Sequence, residues 1–187
     1  LMEVNLPFHH LSNWGVLQNH GLALLGLYFD NPEWVRESVR RLDEETYMQV
    51  FSDGTQWEQS PMYHCEVMYA LMDSLLHLKR FDKPVPKRLT EAVHQMVHTL
   101  AYWCKPNGHI PCQGDSDDID ARDQISMGAM LFNDETLKFL SQGVIDEENL
   151  WTFGTKGLEA YQALPAIVPE ETSKFLADSG NYMLRSG

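Results

Sequence analysis

Twice in the first third of the chain, a proline directly follows a residue of helix-capping type, and this spacing dictates the architecture. Asn31-Pro32-Glu33 reads as N-cap, first-position proline and first-turn acid, and Ser60-Pro61 repeats the cap-plus-proline signal. Proline fits there because the first helical amide has no intrahelical partner to lose. Behind each signal, apolar residues recur at three- and four-residue intervals. Trp34, Val35, Val39, Leu42, Tyr47 and Val50 alternate with charges, which predicts a half-exposed helix towards residue 50. Val67, Ala70, Leu71, Leu75 and Leu78 form the buried stripe of a helix running to about Arg80. The same periodicity predicts a helix over 11–29, built on Leu11, Trp14, Leu17, Gly21, Leu24, Leu25 and Tyr28. Another carries Leu89, Val93, Met96, Val97, Leu100 and Trp103. Shorter helices are expected over 120–132, 134–141 and 155–163, with Asn133-Asp134 and Thr155 as caps. Ser52-Asp53-Gly54-Thr55 is a turn, and a Gly-, Pro- and Asp-rich loop runs from 105 to about 118.

One segment departs from this pattern. Asn181-Tyr182-Met183-Leu184-Arg185 alternates polar and apolar after Ser179-Gly180, as a strand does. A lone strand does not stabilise itself, so it is expected to open a β-sheet domain missing from this chain. The body is therefore all-α, antiparallel helical pairs joined by short loops. The expected division is a helical unit over 1–176 and the first strand of a truncated β domain over 177–187.

Composition narrows the function. Apolar residues make up 43% and aromatics 11% of 187 residues, enough for a packed core and against disorder. With 27 acidic and 14 basic side chains the formal charge is −13, which opposes nucleic-acid binding and leans away from densely sulfated polyanions. No apolar run reaches the ~18 residues a membrane span needs, so no membrane partner is expected. The first residues show no signal peptide, and because the chain does not begin with Met a leader upstream is left open. Localisation stays open between periplasmic or secreted and cytoplasmic. Cys65, Cys104 and Cys112 lack CxxC spacing and favour a reducing compartment, with a Cys104–Cys112 disulfide left open.

The densest chemistry lies in 53–64, Asp-Gly-Thr-Gln-Trp-Glu-Gln-Ser-Pro-Met-Tyr-His. Counted from Ser60 as N-cap, Tyr63 falls in the first helical turn. The positive helix end there is expected to favour its phenolate and suit it to proton transfer. A bland alternative makes Tyr63 an amphipathic rim residue. Asn13 and His20 lie seven residues apart and share a helix face, with Asn19 rotated from them. They form either the polar floor of a cleft or a helix-to-helix hydrogen-bond network. His94 and His98 have the i, i+4 spacing of HExxH, but Gln95 replaces the required Glu and no third ligand is evident, so no metal site is expected. The acidic run 115–120 lacks the Gly and the final Glu of a calcium loop. Gly114-Asp115-Ser116 reads as a turn followed by a cap.

Taken together these stretches resemble the heparinase II/III-like polysaccharide lyases. The matching pieces are Ser12-Asn13-Trp14-Gly15 with Gln18-Asn19-His20-Gly21, then Glu58-Gln59-Ser60-Pro61-Met62-Tyr63-His64, then Pro106-Asn107-Gly108 and Gly114-Asp115-Ser116-Asp117. Asp178-Ser179-Gly180-Asn181-Tyr182 and Leu184-Arg185-Ser186-Gly187 complete them. The resemblance implies a partial (α/α) toroid of antiparallel helical hairpins followed by β-sheet domains. It also implies β-elimination of a uronic-acid polysaccharide, with no metal or other cofactor. Asn19 and His20 would neutralise the uronate carboxylate and Tyr63 would act as catalytic acid or base. Gln59 and His64 would support the cleft, Asn13 is the reserve amide, and Trp57 or Trp14 would stack on sugar. A further base would come from sequence beyond Gly187, so this chain alone is expected to fold but not to turn over. The competing expectations are a non-catalytic carbohydrate-binding or scaffold domain, and a glycoside hydrolase using Glu58 with Asp115 or Asp117.

Overall fold

The computed structural model describes residues 7–185. A short 3-10 turn, Pro7–Leu11, leads into α1 (Asn13–Tyr28), α2 (Pro32–Gln49), α3 (Pro61–Arg80), α4 (Lys87–Trp103), α5 (Arg122–Phe132), α6 (Glu135–Leu140) and α7 (Glu147–Ala163). Two short strands, β1 (Lys174–Leu176) and β2 (Asn181–Met183), close the order. Residues 1–6 of the expected helical unit and the closing Ser186-Gly187 lie outside the described residues.

Helices pair as antiparallel hairpins. The Gln49 amide at the end of α2 donates to His10 O (2.9 Å) and Ser12 O (3.0 Å), at the start of α1. Likewise Thr99, late in α4, donates to Asp53 O (2.8 Å), just ahead of α3. α1 and α3 run the same way: Asn13 meets Glu58, His20 meets Asp73, and Leu27 packs in a cluster with Leu78. This alternation of direction is that of an (α/α) toroid segment. α3 is its central member, with Met68, Leu71, Met72 and Leu75 fully buried against Leu89, Met96 and Leu100 of α4. Truncating one of these leucines to Ala would cost about 2–5 kcal/mol.

The two cap signals resolve differently. Asn31 Oδ1 accepts from Glu33 N (3.1 Å) and Trp34 N (3.2 Å), as its residue type predicts. Ser60 occupies the N-cap position of α3 without capping it. Its hydroxyl turns to Asp115 O (3.2 Å), and Ser116 Oγ accepts the Met62 amide at 3.0 Å instead. A residue from the distant 105–118 loop thus does the work expected of the local serine.

The expected lone strand has a partner. β1 and β2 form an antiparallel hairpin with Phe175 opposite Tyr182, and β1 lies on the helical side of the boundary placed at 176. Three residues are too few for alternation to announce β1. Leu176 and Met183 pack on Tyr102 and Trp103, while the Arg185 guanidinium donates to Ala101 O, Tyr102 O and Cys104 O, where α4 ends. A cation is favoured at that carbonyl-rich helix end. The first half of α7 was also not foreseen: Asp146 caps it, and Gly154 (φ +65°) breaks it before Thr155. All three cysteines are free thiols, and burial pushes that of Cys104 up to about 12. No helix of the described residues is long and apolar enough to cross a membrane.

Candidate active site

The loop between α2 and α3 folds back on itself. Phe51 N donates to Thr55 O (2.9 Å), Trp57 N donates to Gln49 O (2.8 Å), and Gly54 takes the left-handed conformation at its tip (φ +85°). The Asp53 carboxylate organises it. Burial pushes this group up, but hydrogen bonds from the backbone of Ser179 and Thr55 outweigh that and hold it below the usual range. Its Oδ2 accepts from Asp178 N (3.0 Å) and Ser179 N (2.8 Å), so the loop is tied to the β-hairpin turn. Trp57 is left projecting, 43% exposed.

His64 supports this loop from beneath. It is fully buried, its Nε2 donating to Met96 O (3.0 Å) and its Nδ1 accepting from Gln56 N (3.3 Å). Those two bonds assign the neutral Nε2–H tautomer, and burial lowers its pKa to about 4. The sequence expectation of a substrate contact at His64 is therefore corrected: no sugar reaches it, and it pins the loop to α4.

Tyr63 is half-buried at the mouth of α3, and its hydroxyl donates to Asp115 Oδ2 at 3.1 Å. That carboxylate, with Glu66 and Glu58 near by, raises the phenol above its ordinary range. The phenolate expected from the helix dipole is thus disfavoured, because a full negative charge in contact outweighs partial charges on amides. Glu58 Oε1 also accepts from Asn13 N (3.3 Å), so one carboxylate is neighbour to both Tyr63 and the first residue of α1. The Asn13 carboxamide is 7% exposed and has no hydrogen-bond partner among the described residues.

Asn19 and His20 do not join this group, which corrects the pairing the resemblance implies. Asn19 is 1% exposed, donating to Glu45 Oε1 (2.9 Å) and accepting from Arg41 (3.5 Å) of α2. His20 Nε2 meets Asp73 Oδ2 at 2.7 Å. Asp73 lies ten residues beyond Tyr63 on α3, about 15 Å at 1.5 Å per residue. Both are thus members of a helix-to-helix network, the bland alternative for this stretch. Gln59 is half-buried in a left-handed conformation (φ +54°) beside the mouth, and Trp14 is exposed on α1.

Sequence reasoning missed that Asp115 would engage Tyr63; the signal present was Gly114-Asp115-Ser116, read as a turn and cap, as a piece of the family resemblance and as a hydrolase carboxylate, but not as the partner of the phenol. Of the remaining acids of that loop, Asp118 pairs with Lys105 (2.6 Å) and Asp120 with Arg122 (2.5 Å), while Asp117 is exposed. Of the carboxylates a hydrolase would pair, Glu58 with Asp115 or Asp117, Glu58 and Asp115 each hold a separate partner.

Comparison with known proteins gives a consistent picture. The chain is 27% identical over 162 residues to a heparin-sulfate lyase of Pedobacter heparinus, covering 84% of this chain and 22% of that protein. Among solved structures it is similar to a heparinase III with methylated lysines (TM-score 0.69, 20% identity, 87% of this chain, 24% of that one). It is also similar to a second heparinase III structure (TM-score 0.65, 18% identity, 88% of this chain, 26% of that one). It thus spans about a quarter of the length of these relatives. The sequence pattern of the Heparinase II/III N-terminus family runs through residues 4–139, the stretch that holds Asn13, Glu58, Tyr63 and Asp115, and the chain belongs to that family.

Proposed function

We propose that the whole protein containing this chain is a polysaccharide lyase that cleaves uronic-acid-containing polysaccharide by β-elimination, with Tyr63 as general acid. The observation carrying this reading is the phenol at the mouth of α3, half-accessible and kept protonated by Asp115. The name of the Pedobacter heparinus relative supports the class and makes heparan sulfate the first polymer to test.

In this reading the uronate carboxylate lies against Asn13, whose free N–H donors stabilise the enolate-like charge that builds when C5 loses its proton. A base outside this chain takes that proton, and its electron pair forms the C4–C5 double bond. The C4–O bond breaks, and Tyr63 swings its proton from Asp115 to the departing oxygen. The tyrosinate so formed is unstable beside three carboxylates and is reprotonated from solvent. Trp57 offers a stacking face for a neighbouring sugar. The isolated 187-residue chain is proposed to fold without turning over, since it holds the acid and the amide but not the base.

The test uses the full-length protein on heparan sulfate, alginate and hyaluronan, read by ultraviolet absorbance of the unsaturated uronate. Tyr63→Phe is expected to lower kcat by about 10²–10⁴ with the fold unchanged by circular dichroism. Undiminished activity removes Tyr63 from the reaction. Reducing ends without absorbance indicate hydrolysis, and glycan binding without turnover by the unaltered protein indicates the non-catalytic carbohydrate-binding alternative.

A further inference from the structure

His94 and His98 sit one turn apart on α4, and the third ligand that the sequence does not reveal arrives from the α5–α6 connection. Asn133 turns the chain there in a left-handed conformation (φ +54°) and delivers Asp134 to the imidazoles. Both Nε2 atoms point at the same oxygen, Asp134 Oδ2, at 2.8 and 2.9 Å, and the three ligand atoms lie within 4.8 Å of one another. The other carboxylate oxygen is fixed, accepting from Leu137 N at 2.9 Å. The Phe132 ring packs on His94 with centroids 4.5 Å apart. Two imidazoles in ring contact with each other (centroids 4.9 Å apart) and a carboxylate anchored by Leu137 N have the composition of a three-ligand metal centre.

We propose that His94, His98 and Asp134 bind a divalent transition-metal ion of the zinc type, independently of the lyase reading. The imidazoles favour zinc, cobalt or nickel over magnesium and calcium, which prefer all-oxygen shells. Both histidines line a cavity of about 780 Å³ whose wall carries Asp53, Glu91, Glu170 and Glu171 against the single ammonium of Lys174. That excess of negative charge draws a cation in and leaves room for water in the remaining coordination positions. Binding moves each ring proton from Nε2 to Nδ1 and opens the N···O separations to about 3.3 Å, as metal–ligand bonds of 2.0–2.1 Å require in tetrahedral geometry. The ion would then fasten α4 to the α5–α6 turn.

Zinc chloride alone, titrated calorimetrically into the full-length protein, is expected to bind at one site per chain that magnesium does not displace. His98→Ala should weaken that site more than about 100-fold, and Asp134→Asn, which keeps an N-cap acceptor for Leu137, by at least about tenfold. Cobalt(II) should give visible ligand-field bands that both variants lose, read on samples whose circular dichroism is unchanged. Absence of zinc uptake, or uptake and cobalt bands that survive both substitutions, overturns the proposal and leaves the trio as a hydrogen-bonded clamp.

Discussion

Tyr63 and Asp115 stand 52 residues apart in the chain and 3.1 Å apart in space, the phenol donating and the carboxylate accepting. The contact raises the phenol, so the acid form persists further into alkaline pH than an isolated tyrosine allows. Asp115→Asn removes the charge, and the alkaline limb of the pH–rate profile should move to lower pH. A kcat profile of the full-length protein from pH 6 to 11 checks this, and an unmoved limb detaches Asp115 from the acid.

The two asparagines of α1 should behave oppositely. Asn13→Ala is expected to lower kcat/KM by about 10²–10³ while changing stability by less than about 1 kcal/mol, since its carboxamide holds no partner. Asn19→Ala removes one hydrogen-bond partner from each of the buried Glu45 and Arg41, which keep His10 and Glu37, and should cost about 1–3 kcal/mol in urea unfolding. Lyase assays beside denaturation curves separate the two.

His64 makes stability pH-dependent. Its pKa is about 4 when folded against an ordinary 6.5, so the unfolded chain binds the proton more readily. The stability it contributes is complete above pH 6.5 and drains away as pH falls towards 4. At pH 4.5 the loss should be about 2–3 kcal/mol relative to pH 7.5. His64→Gln, which keeps a donor and an acceptor but does not titrate, should lack this increment when urea midpoints are compared at the two pH values.

Gly54 admits no side chain. A Cβ there would stand 2.6 Å from Thr99 Oγ1 and 2.7 Å from Gln95 O, at a positive φ. Gly54→Ala should destabilise by about 2–4 kcal/mol, lowering Tm by roughly 5–15 °C. Differential scanning calorimetry measures this directly.

Helices α2 to α4 were legible in the sequence because each has an apolar stripe and a proline at or just ahead of its start. The extent of α1 was legible but its inward face was not: Leu11, Trp14, Leu17, Leu25 and Tyr28 are exposed, and Val16, Leu22, Ala23 and Leu27 are buried instead. Tyr63 was legible because the run Glu58-Gln59-Ser60-Pro61 placed it in a first helical turn. What escaped was set by contacts distant in sequence. Ser116 displaces Ser60 as the cap of α3, Asp115 reverses the expected sign of the Tyr63 shift, and Asp134 reaches two histidines 36 and 40 residues away. Asn19 and Asn13 are the same residue type on one helix, and only the neighbours of each distinguish a packed amide from a free one.

The Asp53 carboxylate bolts the Trp57 loop to the hairpin turn at Asp178 and Ser179, with Ser52–Asp178 and Thr55–Ser179 contacts alongside. A displacement of the C-terminal ribbon is therefore transmitted to the tryptophan's loop: the two segments share one anchor, and loosening it at either end frees both.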